Sequence, residues 1–397
     1  MTKTLLIHNG TVVTPWGLVP HGSVLVQNGR IAAIEKDPLP HPDRLADTVM
    51  DAQDCWIMPG IIDMHSDAIE GELAPRPTSR LPYDVAMHEL ERKLIGSGIT
   101  TIYHALSLAD WTSSRWVRQT EMVRDILNHL RVFAQGSHRL LSHRIHLRFE
   151  VANLHGESYV REAIQSGWID ELSFNDHTPG RGQFRDIERF RHFLVDHRRM
   201  SREEADNLLE TRMRQVTVEW HTLQELADRA RDAGIPLASH DDDTIERLDL
   251  LGEWHGRISE FPISLEVARE AKKRGFYVVM GAPNVLNGAS TSGNLSAQEA
   301  IEAGAVDILC SDYYPPSLLH SVFVLVRKGL EMSRAVNMVS LNPAKALGIA
   351  GDKGSIEVGK VADLLVVDTL RGDVPDMKFA FTQGRMVTSV VRQGSFI

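Results

Sequence analysis

The side chains best suited to chemistry in this sequence lie in Pro59–Glu70, where His65 and Asp67 follow an apolar segment. Its composition predicts a buried strand. Because side chains alternate along a strand, Asp63, His65 and Asp67 should share one face. Three ionisable groups there are costly unless they are paired, and a divalent metal accepts both imidazole nitrogen and carboxylate oxygen. The alternative is a hydrogen-bonded histidine beside two helix-capping or hydrogen-bonded aspartates.

Imidazole and carboxylate side chains also end most of the other apolar segments. They are His104, Glu150, Asp176 with His177, His240 followed by Asp241–Asp243, Glu260, and Asp312 followed by Tyr313. Each has an ordinary alternative, since a lone histidine can be a framework residue and an acidic run can begin a helix. Crowded carboxylates would repel each other without a cation, so the whole set favours a metal site. Three carboxylates and three imidazoles suffice for two ions that share a bridging carboxylate.

Eight apolar segments that could position these side chains alternate with helical stretches. The predicted strands are Ile61–Asp67, Thr100–Ala105, Ile145–Val151, Glu171–Asp176, Pro236–His240, Ser259–Pro262, Tyr277–Gly281 and Val306–Ser311. The predicted helices include Pro82–Ser97, Arg115–Gln135, Gln215–Ala233, Leu265–Arg274 and Leu295–Ala303. This order predicts an α/β fold, a (β/α)8 TIM-like barrel with its chemistry at the C-terminal strand ends. An open doubly wound sheet is the alternative, but no glycine-rich dinucleotide fingerprint follows an early strand.

Both chain ends contain short strand patterns. Asn9-Gly10 and Asn28-Gly29 predict hairpin turns near the N-terminus, and Lys378–Thr382 with Arg385–Arg392 predicts a closing hairpin. We expect residues 1–57 and 345–397 to form one small β-sandwich domain, with the hydrolase barrel spanning 58–344. The arginine-rich stretch 178–233 is either a helical lid or an enlarged crossover.

Composition narrows the class of partner. The 397 residues carry a net charge of −10, which argues against a general nucleic-acid or anionic-membrane surface but leaves room for a small anionic substrate. With Cys55 and Cys310 as the only cysteines, no disulfide framework exists, and a reducing cytoplasm is expected. We see no signal peptide and no apolar run that could span a bilayer. A homo-oligomer is left open.

Several motifs resemble the amidohydrolase superfamily. These are Gly-Ile-Ile-Asp before His65-x-Asp67, the later Ser311-Asp312, and the run Gly354–Leu364. A further set is similar to the PhnM family of phosphonate degradation, namely Ser239–Asp242, Glu260–Pro262, Gly281–Asn284, Ser292–Asn294 and Ser311–Pro315. That resemblance implies hydrolysis of α-D-ribose 1-methylphosphonate 5-triphosphate to the 5-phosphate and diphosphate. Ala68 departs from the asparagine expected at its position.

The resemblance also implies a set of metal ligands. They are His65, Asp67, Glu150, His177, His240 and Asp312. Glu150 would bridge two divalent ions in the place where many superfamily members use a carboxylated lysine, and Asp312 would also be the catalytic proton acceptor. Zinc is the first expectation for the ions, with manganese or iron as alternatives.

A triphosphate requires cations and hydrogen-bond donors around it. Arg181 and Arg185 are candidates for phosphate contacts, with a solvated helix face as the alternative for each. Backbone and side chains of the loop after strand seven could also meet phosphate, which nominates Asn284, Asn287, Ser290 and Ser292. His104 and Tyr313 complete the predicted substrate-binding residues because each lies at a predicted strand end.

Two other functions fit the same residues. One is hydrolysis of a cyclic amide, N-acyl group or ester, because the same attack by water serves carbonyl and phosphorus centres. The other is a metal-free scaffold on the same barrel, which would normally lack several of the six ligand positions.

Overall fold

The computed structural model describes residues 4–36, 39, 41–109, 115–196, 199–290, 294–370 and 373–390. Two eight-stranded sheets contain the strands of these residues, one from the chain ends and one from the middle of the chain. The strands of the first sheet that precede the middle of the chain are β1 (Thr4–Thr14), β2 (Gly17–Gln27), β3 (Arg30–Lys36), β4 (Thr48–Asp51) and β5 (Trp56–Pro59).

The middle of the chain forms the barrel that the alternating pattern predicts. Its strands are β6 (Ile61–Ser66), β7 (Ile99–Leu108), β8 (Ser142–Glu150), β9 (Glu171–Asn175), β10 (Leu237–His240), β11 (Ile258–Glu260), β12 (Tyr277–Gly281) and β13 (Ile308–Cys310). They lie in chain order and each pairs in parallel with the next. A parallel bridge between Ser66 and Asp312 brings the last strand back to the first. The prediction of eight strands in a barrel is therefore confirmed.

The described residues contain fourteen helices, most of which cover the outside of the barrel and present apolar faces to it. They are α1 (Ala68–Leu73), α2 (Tyr83–Gly96), α3 (Thr120–Gln135), α4 (Glu157–Gln165), α5 (Ile187–Asp196), α6 (Arg202–Met213), α7 (Trp220–Asp232), α8 (Ile245–Glu253), α9 (Leu265–Lys273), α10 (Ala282–Asn287), α11 (Ala297–Glu302), α12 (Ser317–Arg327), α13 (Met332–Asn337) and α14 (Leu341–Ala346). Single 3-10 turns occupy Pro42–Arg44, Trp116–Arg118 and Gly182–Phe184. The helix predicted over Arg115–Gln135 is thus divided, because Gln119 is extended.

The sheet from the chain ends, here called the small sheet, is completed by β14 (Leu364–Leu370), β15 (Val374–Thr382) and β16 (Arg385–Ser389). It curls around its own core, since Ile31 of β3 and Phe381 of β15 belong to one apolar cluster. The hairpin predicted at Asn28-Gly29 is confirmed, because Gln27 pairs with Arg30 across the turn. The predicted C-terminal hairpin is also present in β15 and β16, with residues 391 and 392 outside the described part.

The hairpin predicted at Asn9-Gly10 is wrong. The chain continues through both residues as β1, with irregular register against β2 at Gly10. The neighbours that decide this come from later in the chain: β4 pairs with β1 up to His8, and β5 pairs with it from Thr11. A side chain at position 10 would meet Ile57 Cδ1 at 2.7 Å, so the glycine permits close packing in place of a turn.

Residues 178–219 form an addition between β9 and α7. Within it, α5 and α6 pack on a core of their own, made by Phe190, Leu194, Ala205 and Leu209. Ser201 begins α6 with a capping box to Glu204. In the part of the chain that the structure describes, no helix has both the length and the apolarity needed to cross a membrane.

Candidate metal centre

Backbone hydrogen bonds bring the two ends of the barrel sheet together at its C-terminal edge. The amide of Asp312 donates to the carbonyl of His65 over 3.0 Å, and the amide of Asp67 donates to the carbonyl of Asp312 over 2.6 Å. Asp312 adopts a left-handed conformation with φ of 56°, which turns the chain after β13. These contacts place the side chains of His65, Asp67 and Asp312 at one end of the barrel, here called the mouth.

A row of imidazoles crosses the mouth. The ring centroids of His65 and His240 are 5.5 Å apart, and those of His240 and His177 are 6.0 Å apart. Nδ1 of His177 lies 2.7 Å from Oε1 of Glu150, at the end of β8. His65, His240, His177 and Glu150 are therefore consecutive neighbours, although they come from β6, β10, the segment after β9 and β8, respectively.

Two arginines hold the carboxylate of Asp67. Arg118 donates to Oδ2 over 2.8 Å and Arg148 donates to Oδ1 over 3.1 Å. Burial opposes ionisation of Asp67, but Arg148 and Arg118 outweigh it and lower its pKa to about 2. Arg148 also reaches Nε2 of His240 over 3.1 Å, and Arg118 is bound to Glu70 over 2.8 Å. A cation at Asp67 would therefore share this carboxylate with guanidinium groups or displace them.

Several buried ligand atoms at the mouth lack hydrogen-bond partners among the described residues. They are Nε2 of His65, Nδ1 of His240, Oδ2 of Asp241 and Oε2 of Glu260. Nδ1 of His240 lies 2.9 Å from Oδ2 of Asp241, but the two atoms do not form a hydrogen bond. Buried polar atoms are normally paired, so these atoms fit a site that a cation completes.

The donor atoms form two overlapping groups. His65, His240 and Glu260 make one, and His177, His240 and Asp241 make the other, with ligand atoms within 4.8 Å of one another in each. Nδ1 of His65 lies 2.9 Å from Oε1 of Glu260, an arrangement in which a carboxylate orients a ligating imidazole and leaves Nε2 for the ion. Mixed nitrogen and oxygen donors suit zinc, manganese or iron.

The pKa values of Asp312 and His177 are both raised, but for different physical reasons. Burial and then the neighbouring Asp67 raise the pKa of Asp312 to about 7. Burial disfavours charge on His177, but Glu150 and Asp241 outweigh it and raise its pKa to about 9. A carboxylate that gains a proton near neutral pH suits proton transfer in this range.

Not all predicted site residues join this group. His104 is buried, and its Nε2 lies 2.9 Å from Nδ1 of His143, which in turn contacts Glu91 of α2. The ring of His104 therefore faces the surrounding helices. This is the structural role that was the alternative for each lone histidine. Arg181 donates to Asp176 over 3.0 Å and is mostly exposed, and Arg185 is exposed.

The predicted loop after β12 is partly helical. Asn284 and Asn287 lie in α10, with Asn284 partly buried and Asn287 exposed. Ser290 is partly buried after this helix, and Ser292 lies outside the described residues. Tyr313 is 52% exposed beside Asp312.

Four residues that complete the mouth had not been assigned as metal ligands or substrate contacts. Glu260 ends β11 and Asp241 follows β10, and both are among the side chains already named at the ends of apolar segments in the sequence. Asp241 does not cap α8, whose N-cap is Thr244. Arg148 precedes Glu150 by two residues and shares its strand face by alternation. No sequence pattern around Arg118 indicates a place at the mouth, because its partner Asp67 lies 51 residues earlier in the chain.

Comparison with known proteins gives a consistent result. α-D-Ribose 1-methylphosphonate 5-triphosphate diphosphatase of Escherichia coli K12 is 33% identical over 357 residues, covering 88% of this chain and 91% of that protein. The 5'-deoxyadenosine deaminase of Methanosarcina barkeri is 24% identical, covering 99% of this chain and 92% of that protein. The structure of β-aspartyl dipeptidase from Fervidobacterium islandicum AW-1 superposes with a TM-score of 0.64 at 16% identity, over 99% of this chain and 100% of that one.

The last comparison concerns the fold alone, because its sequence identity is low. The sequence model of the Amidohydrolase family matches residues 56–397, which include every strand of the barrel. With the long match to the Escherichia coli enzyme, this establishes that the chain belongs to the amidohydrolase family and is a hydrolase of that superfamily.

Proposed function

We propose that this protein is a metal-dependent diphosphatase that hydrolyses α-D-ribose 1-methylphosphonate 5-triphosphate to the 5-phosphate and diphosphate in phosphonate catabolism. The observation that carries the proposal is the group of buried, unpartnered donor atoms at the mouth, in a chain 33% identical to an enzyme of that name. The six ligands we propose remain His65, Asp67, Glu150, His177, His240 and Asp312, with Asp241 added by its contacts and Glu260 as the carboxylate that orients His65.

Divalent ions at these residues would activate water and stabilise negative charge on a phosphoryl oxygen. Glu260 orients His65 through Nδ1, and Glu150 holds His177 at 2.7 Å. Asp312 accepts the proton that the attacking water loses, since its carboxylate lies beside the proposed ligands and its pKa is near neutral. The leaving diphosphate then departs towards solvent at the open end of the barrel.

A triphosphate also needs positive charge outside the metal ligands. Arg118 and Arg148 lie at Asp67, and Arg115 reaches Glu70 over 3.2 Å beside them. Guanidinium groups bind phosphate oxygens in pairs, so this cluster favours a polyanionic substrate over a neutral amide. We retain Arg181 and Arg185 as outer contacts, together with the loop residues Asn284, Asn287, Ser290 and Ser292 and with Tyr313.

The second candidate is hydrolysis at a carbon centre. It is favoured by the deaminase of Methanosarcina barkeri, whose match spans 99% of this chain. Both reactions would use the same activated water, so the substrate's charge and leaving group distinguish them.

The test is a turnover assay with purified protein supplied with zinc or manganese. We expect α-D-ribose 1-methylphosphonate 5-triphosphate to yield diphosphate and the 5-phosphate in equal amounts, while neutral cyclic amides and N-acyl amino acids react far more slowly. In ¹⁸O-labelled water, label in the 5-phosphate would identify attack at the α-phosphorus, and label in diphosphate would identify attack at the β-phosphorus.

A matched pair of variants tests the site in the same assay. His65→Ala should abolish diphosphate release, whereas His129→Ala, at an exposed histidine of α3, should leave it unchanged. Rapid hydrolysis of an amide without any diphosphate release from the triphosphate would reject the proposal in favour of the second candidate.

A further inference from the structure

A second cluster of ionisable side chains lies inside the barrel, next to the mouth. It consists of His146 on β8, Glu171 on β9 and Glu260 at the end of β11, and all three are fully buried. His146 and Glu171 are register partners on adjacent strands. The ring of His146 packs edge-on against that of His65 with centroids 5.1 Å apart, so the cluster borders the candidate metal centre.

The imidazole of His146 is oriented towards the two carboxylates. Its Nε2 lies 2.9 Å from the hydroxyl of Ser173, which donates to Asn175 over 3.0 Å. The Ser173 hydroxyl donates its proton to Asn175. Nε2 of His146 is therefore the donor to the Ser173 hydroxyl oxygen, and Nδ1 of His146 is left without a proton, as an acceptor. Nδ1 lies 3.6 Å from Oε2 of Glu171 and 4.0 Å from Oε1 of Glu260.

Several polar atoms of this cluster lack hydrogen-bond partners among the described residues. They are Nδ1 of His146, both carboxylate oxygens of Glu171, and Oε2 of Glu260. No lysine or arginine in the described ranges lies within 4.0 Å of the Glu171 carboxylate. Barrel interiors are normally filled with branched apolar side chains, and a buried charge without a partner is strongly unfavourable. This arrangement needs a neutralising species.

We propose that His146, Glu171 and Glu260 bind a further divalent cation inside the barrel, separate from the ions at the mouth. One neutral imidazole nitrogen and two carboxylates match the ligand preferences of zinc and manganese. The three ligand atoms lie within 4.8 Å of one another, a spacing that short side-chain movements close around an ion. The proposal concerns ion binding only and does not depend on the substrate.

The proposed ion would be connected to the mouth through one residue. Oε1 of Glu260 lies 2.9 Å from Nδ1 of His65 and 4.0 Å from Nδ1 of His146, and Oε2 has no hydrogen-bond partner among the described residues. An ion bound by the Glu260 carboxylate would fix the group that orients His65. The buried ion therefore has a positioning role for His65 and does not touch the substrate.

Zinc-loaded protein tests the proposal directly by anomalous diffraction at the zinc edge. We expect a peak between His146 and Glu171, about 2.0–2.1 Å from Nδ1 of His146, in addition to any peaks at the mouth. Absence of density at that point in fully zinc-loaded crystals, and again in manganese-loaded crystals, would overturn the proposal. In that case, the two glutamates share protons in place of an ion.

Metal analysis of variants gives an independent measurement. Glu171→Gln preserves shape and removes the charge, so the loaded protein should contain one metal equivalent fewer than the unsubstituted protein. Glu91→Gln, at another buried glutamate that binds the amide of Leu140, should retain the full metal content. Unchanged metal content in Glu171→Gln would contradict the proposal, and if that variant fails to fold, the diffraction result on the unsubstituted protein decides. Diphosphate release without the buried ion would leave the proposed function intact.

Discussion

Asp312 combines an uncommon backbone conformation with a perturbed carboxylate. Its φ of 56° turns its side chain into the mouth, and burial with the nearby Asp67 raises its pKa to about 7. Asparagine also tolerates the left-handed conformation, so Asp312→Asn removes the charge with little backbone strain. The proposed proton-accepting role can therefore be tested separately from folding.

We predict that Asp312→Asn lowers kcat by about 10²- to 10⁴-fold, the usual contribution of a general base, without a large change in melting temperature. Steady-state kinetics and thermal unfolding provide the measurement. The control is Asp373→Asn, at an exposed aspartate with φ of 57° that lies outside the barrel. Wild-type turnover in Asp312→Asn would remove Asp312 from the mechanism.

If His177 is a metal ligand, as we propose, metal binding should depend on pH. Without an ion, Glu150 and Asp241 raise its pKa to about 9 in spite of its burial, so it is protonated at pH 8. A ligating imidazole must be neutral, and ion binding there therefore releases one proton. Between pH 7.5 and 8.5, affinity should rise with pH, by close to tenfold per unit for one proton, as titration calorimetry would measure. In His177→Gln, metal affinity should depend much less steeply on pH than in the unsubstituted protein. An equally steep pH dependence in the variant would show that other groups release the proton.

At the scale of elements, strand ends position the mouth while the addition at 178–219 is an independent packing unit. Its helices α5 and α6 share four buried residues with one another, a small core beside that of the barrel. It contacts the mouth region through the amide of Gly182, which donates to Asp243 over 2.9 Å. The addition should therefore open locally more readily than the barrel.

We predict that Leu209→Ala removes about 2–5 kcal/mol of local packing free energy and accelerates hydrogen exchange in α5 and α6, while barrel strands exchange as before. Leu209 is 3% exposed, whereas Met213 of the same helix is 52% exposed and serves as the control position for an alanine substitution. Equal acceleration throughout β6–β13 would show that the addition and the barrel unfold as one unit.

The small sheet depends on close packing at Gly10. We predict that Gly10→Ala destabilises the protein by about 1–3 kcal/mol, because the new methyl group would overlap Ile57 and the carbonyl of Cys55. Gly96→Ala at the end of α2 is the matched control, since nothing lies within 4 Å of its added carbon. Urea unfolding measures both variants, and equal stability of the two would contradict the packing assigned to β1.

At the scale of the whole molecule, the barrel was predictable because each strand is a short apolar segment bounded by a polar residue. The same rule identified His65, His240 and Asp312, which the structure brings to one mouth. It could not identify Arg118, whose contact with Asp67 depends on the path of the chain after β7. It also failed at Asn9-Gly10, where β4 and β5, contributed from residues 48–59, override a local turn signal.

The proposed activity depends on divalent ions held by acids and imidazoles that separate strands bring to the mouth. Its most direct test is to strip the purified protein of metal, add back zinc or manganese in increments, and follow diphosphate release from α-D-ribose 1-methylphosphonate 5-triphosphate. We predict no release from the stripped protein and a rise in rate that saturates as the sites at the mouth fill. Full activity in the stripped protein, or no diphosphate at any concentration of either ion, would contradict the account.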